Sequence, residues 1–363
     1  MTDDTTATVP FPAVGRTKIT AAFDGGRLSS DGGVMLLAQA ERQLGIAERL
    51  ARLISDRREP ERVKHAIPDM IRARIFAIAC GDEDGHDFGP LRSDPAFKLA
   101  CGRLPETGED LASQPTLSRL ENAPSLRDAI RLSSARVDQG MASSASVPDR
   151  VVLDIDDTCD VVHGHQQLSL FNAHYDERCF LPIHVYDSAP GRPVAIVLRP
   201  GKTPSGIEVR AHRRRLVRRI RTRWPTTRIT IRGDSPYARP EGRGFCEQTD
   251  LSSLFGLAGT RPLTAKVQDV ADAVRTHRAG EDHEVVRGFA ETQHQAGSWS
   301  CERRVIARLE ATRLGLDLRF VVTHLIGTSP RVVYESLSCA RGQAENGIKF
   351  PKAPLASDRT SCC

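Results

Sequence analysis

Apolar residues recur at helical spacing through the first third of the chain and at strand spacing beyond residue 150. In "VMLLAQAERQLGIAERLARLI" and "IPDMIRARIFAIA" they return every three or four positions, so the stretch from Gly33 to Ile130 reads as mostly helical. Loops such as "CGDEDGHDFGP" separate these pieces. "SQPTLSRLEN" has the small polar start and apolar spacing of a short capped helix, either a packing helix or part of a helix-turn-helix. Residues 1–20 read as a disordered leader, and the small, polar "VDQGMASSASVPDR" reads as a linker over 137–150.

The texture then changes. Val151–Ile155 has the character of a buried strand, and "CFLPIHVYD" and "PVAIVLRPG" read as two more, joined by the turn "SAPGR". Residues 206–223 predict a helix, "TRITIRGDS" a fourth core strand closing in an aspartate, and "LFGLAGT" a fifth. Residues 280–326 are strand-rich in "HEVVRGFAE", "RRVIARLEA" and "LRFVVTHL", and a last helix runs from about Arg331 to Lys349. This order describes a mixed α/β sheet.

"VVLDIDDTCD" gathers four aspartates into ten residues behind an apolar run. Side chains on a strand alternate faces, so Asp154 and Asp156 point the same way. Asp234 stands at the end of the other good core strand; if the two strands are neighbours, the carboxylates converge at one sheet edge. Mg²⁺ binds through such oxygens together with substrate phosphate. Two ions roughly 4 Å apart activate water and stabilise the leaving oxygen of a phosphodiester. The plainer alternative is that these aspartates start turns, but Asp154 lies inside the apolar strand.

"LDIDDT" also fits DxDxT, the motif of haloacid-dehalogenase-like phosphatases, with Asp154 as nucleophile and Asp156 as acid/base. That family wants a further aspartate four residues after the first of its later motif, and Ala238 stands there after Asp234. In the last helix, "ARGQAENGIKFPK" sets Arg341 and Glu345 four apart on one face. Glu345 is a candidate third ligand and Arg341 a phosphate contact; a surface ion pair of little energetic weight is the alternative.

Composition narrows the classes. At 363 residues, 39% hydrophobic and 27% charged, the chain is globular and long enough for two domains. The net +5 is mild, but arginines crowd into 210–223 while acids crowd around 154–160. No apolar stretch approaches the roughly 18 residues of a membrane span, and the acidic N-terminus lacks the build of a signal peptide. The nine cysteines are scattered and form no CxxC pair, which argues against a zinc knuckle and suits a reducing cytoplasm.

Together these residues resemble the DDE transposases of bacterial insertion sequences, within the IS4-like group and nearest the family numbered thirteen-eighty. The likeness runs through "LSSDGGVMLL", "LRSDPAFK", "SQPTLSRLEN", "LDIDDTCDVVHGHQQLSLFNAHYDERCFLPIHVYD", "LRPGKTPSGIEVR", "IRGDSPYAR", "FGLAG", "QAGSW", "ARGQAEN" and "ASDRTSC". It implies a helical N-terminal DNA-binding region over 21–136. An RNase H-like catalytic domain would follow over 151–363, with a β-rich insertion at about 260–330. The implied triad is Asp156, Asp234 and Glu345, spaced by 78 and 111 residues. Asp156 is preferred because Thr158 follows it two residues on, as in the wider group, with Asp154 the alternative ligand. That group's final helix carries Tyr, Arg, Glu and Lys at fixed intervals. Arg341, Glu345 and Lys352 match them, Ser338 holds the tyrosine position, and Pro351 is expected to end the helix before Lys352. The chain stops at Cys363 where relatives continue, which implies a shortened copy.

The resemblance also implies the partners: double-stranded DNA at element ends and target, a homodimer in the synaptic complex, no membrane, and Mg²⁺ with Mn²⁺ as substitute. In "EVRAHRRRLVRRIRTRWP", Arg213, Arg214, Arg218 and Arg219 are expected to fan outward as a solvated or DNA-binding face. Trp299 either stacks on a flipped base, as in IS4-like relatives, or packs on the sheet. In "HGHQQ", His163, His165 and Gln166 are expected near the acidic strand, facing DNA or supporting the ligands, with a zinc or di-iron hydrolase site as the alternative. The implied activity is metal-dependent nicking and strand transfer, with a non-catalytic end-binding repressor and the phosphatase as alternatives.

Overall fold

The helical spacing of the N-terminal third is realised as six helices in the computed structural model of the chain, which describes residues 8–14, 16–22, 29, 31–164, 166–280 and 284–355. The chain divides into two units, Met1–Ala129 and Ile130–Cys363. The first unit opens with β1 (Thr8–Val14) and β2 (Thr17–Ala22), paired antiparallel. Of the leader expected over 1–20, residues 8–14 and 17–20 fall in these two strands; residues 1–7 lie outside the described residues. Helices α1 (Val34–Leu44), α2 (Ile46–Ala51), α3 (Ile67–Cys80), α4 (Phe88–Leu91), α5 (Pro95–Ala100) and α6 (Gln114–Asn122) follow. They bury Val34, Ala38, Met70, Phe76, Phe88, Phe97 and Leu117 in one core. Gly45, at φ +59°, makes the left-handed turn between α1 and α2.

Helix α7 (Leu126–Ala142) occupies the first part of the expected linker, because Val137 and Met141, one turn apart, bury in the core of the second unit. That unit is built on β3 (Arg150–Asp157), β4 (Asp160–Val161), β5 (Leu170–Asn172), β6 (Glu177–Phe180), β7 (Ile183–Asp187) and β8 (Arg192–Val197). Then come α8 (Gly206–Arg223), β9 (Arg228–Gly233), α9 (Pro240–Gln248), β10 (Ser252–Leu257), α10 (Arg261–Lys266) and α11 (Gln268–Gly280). The antiparallel β11 (Val286–His294), β12 (Arg303–Thr312) and β13 (Gly315–Thr323) precede the C-terminal segment.

Eight strands make one mixed sheet in the order β11-β12-β13-β10-β9-β3-β7-β8, and β4, β6 and β5 form a small separate sheet. β9 runs parallel to β3 and β10; the other neighbours in the large sheet are antiparallel. The β-rich insertion expected over 260–330 is thus partly helical, and its strands continue the main sheet rather than forming a separate one. β13 finds the open edge of β10 and pairs with it from Leu254 to Leu257.

Helix α8 covers one face of the sheet. Its start is a capping arrangement in which Ser205 accepts from the Glu208 amide at 3.2 Å. Val209, Leu216, Val217 and Ile220 form its buried stripe against Leu153, Ile229 and Ile231. The opposite face carries the C-terminal segment, which is not one uniform helix. Val332–Ser338 is wound in wide π-type turns, Cys339–Arg341 in a tight 3₁₀ turn, and only Gly342–Leu355 is α-helical, here α12. Among the described residues, no helix is long and apolar enough to cross a membrane.

Candidate active site

Parallel pairing sets Asp154 opposite Arg232 and Ile155 opposite Gly233. The next residues, Asp156 at the end of β3 and Asp234 just past β9, therefore emerge together at the carboxyl edge of the sheet, the usual place for sites in such sheets. Helix α12 brings the third carboxylate. Gly347 lets that helix settle on β7: a Cβ there would lie 2.7 Å from the Tyr186 ring, and the Tyr186 hydroxyl donates to the Gly347 carbonyl at 2.6 Å.

Arg341 stands among the three carboxylates. Its Nη2 lies 2.7 Å from Asp234 Oδ2 and 3.2 Å from Glu345 Oε1, and its Nη1 lies 3.6 Å from Asp156 Oδ2. One guanidinium therefore touches all three acids of the expected triad. Burial pushes the Asp156 carboxyl up to about 6, Arg341 opposing and Asp234 adding to the rise. Burial disfavours the Arg341 charge, but Asp234 and Asp156 outweigh it and hold the group above its ordinary value. A cleft of about 430 Å³ opens alongside, lined in part by Asp234, Arg319, Tyr334, Ser338 and Glu345.

The donors are all carboxylate oxygens, the set a hard divalent cation takes. Among the described residues no three His, Cys, Asp or Glu side chains close around a single ion position. The Arg341 guanidinium is what lies between these acids. The residues suit a divalent ion in the chemistry of their oxygens, and it is Arg341 that neutralises them in this arrangement.

Asp154, the alternative ligand, is corrected. It is 1% exposed, and Arg232 donates to both of its oxygens at 2.6 and 2.7 Å, with Ser188 also hydrogen-bonded to it. A carboxylate so enclosed cannot attack a substrate, which removes the phosphatase reading. Lys352 Nζ contacts Asp160 Oδ1 at 2.7 Å and the Cys159 carbonyl at 3.1 Å. Helix α12 runs past Pro351 to Leu355, held by that contact and by buried Ala344 and Ile348 on Tyr186.

Arg213 does not fan outward. It falls one turn after Val209 on the buried stripe, is 2% exposed, and lies 4.8 Å over the Phe255 ring, its Nη2 donating to the Tyr237 carbonyl at 3.2 Å. Arg214, Arg218 and Arg219 are exposed as expected, and Arg219 pairs with Asp138. Trp299 is buried, with Arg243 3.9 Å over its ring and Arg303 at 5.4 Å. Strand pairing explains this position: Arg304 lies opposite Thr323, and Thr323 opposite Leu254, so Trp299 sits toward the sheet end away from Asp234. His163 is exposed, Gln166 is half-buried with its carbonyl accepting from Ser169, and His165 lies outside the described residues, as does "ASDRTSC".

Several contributing residues escaped the sequence reading. Tyr237, in the turn after Asp234, donates its hydroxyl to Asp157 Oδ2 at 2.8 Å. His184 sits across from Asp156 on β7, and burial lowers its imidazole to about 4, so it stays neutral. The signal for Arg232 was a lone arginine inside the apolar run "ITIRG", two residues before Asp234 as Asp154 is before Asp156.

The family model described as Transposase DDE domain group 1 matches residues 11–363. The chain belongs to this transposase family. The DDE domain resemblance read from its motifs therefore holds at family level. No curated protein matches the chain. Among solved structures, the cryo-electron-microscopy piggyBac transposase synaptic complex with hairpin DNA is similar at 10% identity and a TM-score of 0.44. That similarity covers 90% of this chain and 69% of the other.

Proposed function

We propose that this DDE domain cuts DNA at the ends of its own element and joins the freed ends to a target. The observation that carries the reading is the meeting of Asp156, Asp234 and Glu345, from two strand ends and one late helix, around one guanidinium. A core of three antiparallel strands followed by two parallel ones, β8-β7-β3-β9-β10, supports an RNase H-like description.

Asp156, Asp234 and Glu345 are the residues that would hold Mg²⁺, or Mn²⁺ in its place. When bound, the ion supplies Lewis-acid activation of water and charge neutralisation at the leaving oxygen. Arg341 has two roles in this scheme. It balances the acids before substrate arrives and turns its planar donors toward a phosphate afterwards, a geometry suited to phosphate oxygens. The exposed arginines of α8 add salt-sensitive affinity for the DNA backbone. The N-terminal unit recognises the element ends, and two copies of the chain bring two ends together.

The test is incubation of the purified chain with labelled duplexes carrying the inverted repeats that flank its gene. Mg²⁺-dependent nicks that vanish in Asp234→Asn are expected. Specific binding without nicking by the native chain would instead identify an end-binding repressor.

A further inference from the structure

We propose that Arg232 is a positioning residue that couples Glu345 to the two strand-end aspartates; the proposal rests on the metal-site reading above. Arg232 and Asp154 oppose one another across the parallel pair β3–β9, each two residues before the aspartate that its strand delivers. Arg232 Nε and Nη2 reach the Asp154 oxygens at 2.6 and 2.7 Å, and Nη2 also donates to Ser188 Oγ at 2.8 Å. The remaining nitrogen, Nη1, donates to the Leu337 carbonyl.

Leu337 lies in the π-wound stretch, four residues before Arg341 and eight before Glu345. One planar group carried on β9 therefore binds β3, the turn after β7 and the segment that carries the third acid. The pair is shielded, Arg232 being 5% and Asp154 1% exposed, so water does not replace a bond that is lost. An ammonium would satisfy Asp154 but has a single tip, and cannot span the distance to Leu337 as the guanidinium fork does. R232K therefore separates strand pairing from helix placement.

Full-length wild type, R232K, E345Q and the double variant would be titrated with Mn²⁺ alone by calorimetry. R232K and E345Q should each weaken Mn²⁺ binding about 10-fold, the scale of losing a ligand-orienting partner. The double variant should bind no more weakly than E345Q, because Arg232 acts through Glu345. In metal-free protein, hydrogen exchange of amides 338–345 should rise in R232K while β3 and β9 keep their protection. Additive Mn²⁺ losses, or exchange that rises equally in β3 and β9, overturn the proposal. If E345Q leaves Mn²⁺ binding unchanged, the metal reading fails, and exchange alone decides the positioning role. Should R232K not fold, exchange in the metal-free wild type decides it. Protection across 338–345 is expected, and exchange there at unprotected rates overturns the proposal.

Discussion

The Tyr237 hydroxyl donates to Asp157 Oδ2 at 2.8 Å, tying the turn that follows Asp234 to the residue that follows Asp156. Tyr237 is 2% exposed, and burial together with Asp157 raises its phenol, keeping it a donor. Tyr237→Phe keeps the ring and removes the bond. The expected loss is about 1–2 kcal/mol of stability, the scale for a hydrogen bond of this kind. Urea unfolding measures it, and an unmoved midpoint would show that the two turns are held by other means.

Asp154 and Asp156 share a strand face but should fail in different ways. Asp154→Ala strips a buried guanidinium of its partner and should cost about 3–5 kcal/mol. Asp156→Asn, at the strand end, should leave the fold close to wild-type stability while abolishing nicking. Thermal melts of the two variants compare them directly. Equal melting temperatures would contradict the structural role assigned to Asp154.

Arg213 is buried on α8, whereas Arg214 and Arg218 are exposed. Arg214→Gln and Arg218→Gln should each flatten the dependence of log DNA affinity on log salt by about one unit. Arg213→Met should leave that slope alone and lower stability instead. Binding isotherms at several salt concentrations separate the outcomes, and a flattened slope for Arg213→Met would refute its burial.

Hydrogen bonds from Arg199 hold the Glu208 carboxyl below its usual value. A depressed carboxylate contributes stability above its unfolded value, about 4.3, and loses it as pH falls through the lower folded value. Glu208→Gln should therefore be less stable than wild type at neutral pH and equal to it in strong acid. Urea midpoints across that range give the answer; a gap that persists or widens in acid would reverse the assigned sign.

Cys301 and Cys339 are exposed, whereas Cys101, Cys179 and Cys246 are buried, and burial pushes Cys101 up to about 12 and Cys246 up to about 11. Maleimide should label the exposed pair in the native chain and the buried three only after unfolding. Peptide-resolved mass spectrometry reads each site. Native labelling of Cys246 would place it outside the core.

Where local pattern decides structure, the sequence was informative. Val151, Leu153 and Ile155 announce β3, and the apolar spacing over 206–223 announces α8. The meeting of Asp156, Asp234 and Glu345 was readable through motif resemblance, since no local rule joins residues 111 apart. What escaped were partnerships set by register and packing. Arg213 looked like its exposed neighbours, because the rings of Phe255 and Tyr237 that receive it lie far along the chain. Asp154 looked like a ligand until the β3–β9 register set Arg232 opposite it. Trp299 was open between base stacking and sheet packing, and strand order with its burial places it in the packing, toward the other end of the sheet. Pro351 looked like a stop, but Lys352 and Tyr186 anchor the helix on either side of it.

Strands β12 and β13 do not end where β10 does. Phe320 lies opposite Leu257, so Gly315 to Arg319 project past the carboxyl edge, with Leu314 fully exposed at the tip. The carboxylates thus have a stiff rail along one flank, braced by full-length pairing of β12 with β11 and β13. A long polymer laid across them would be guided sideways by this rail before any bond is broken, so trimming the hairpin should blur where cuts fall more than how fast they occur.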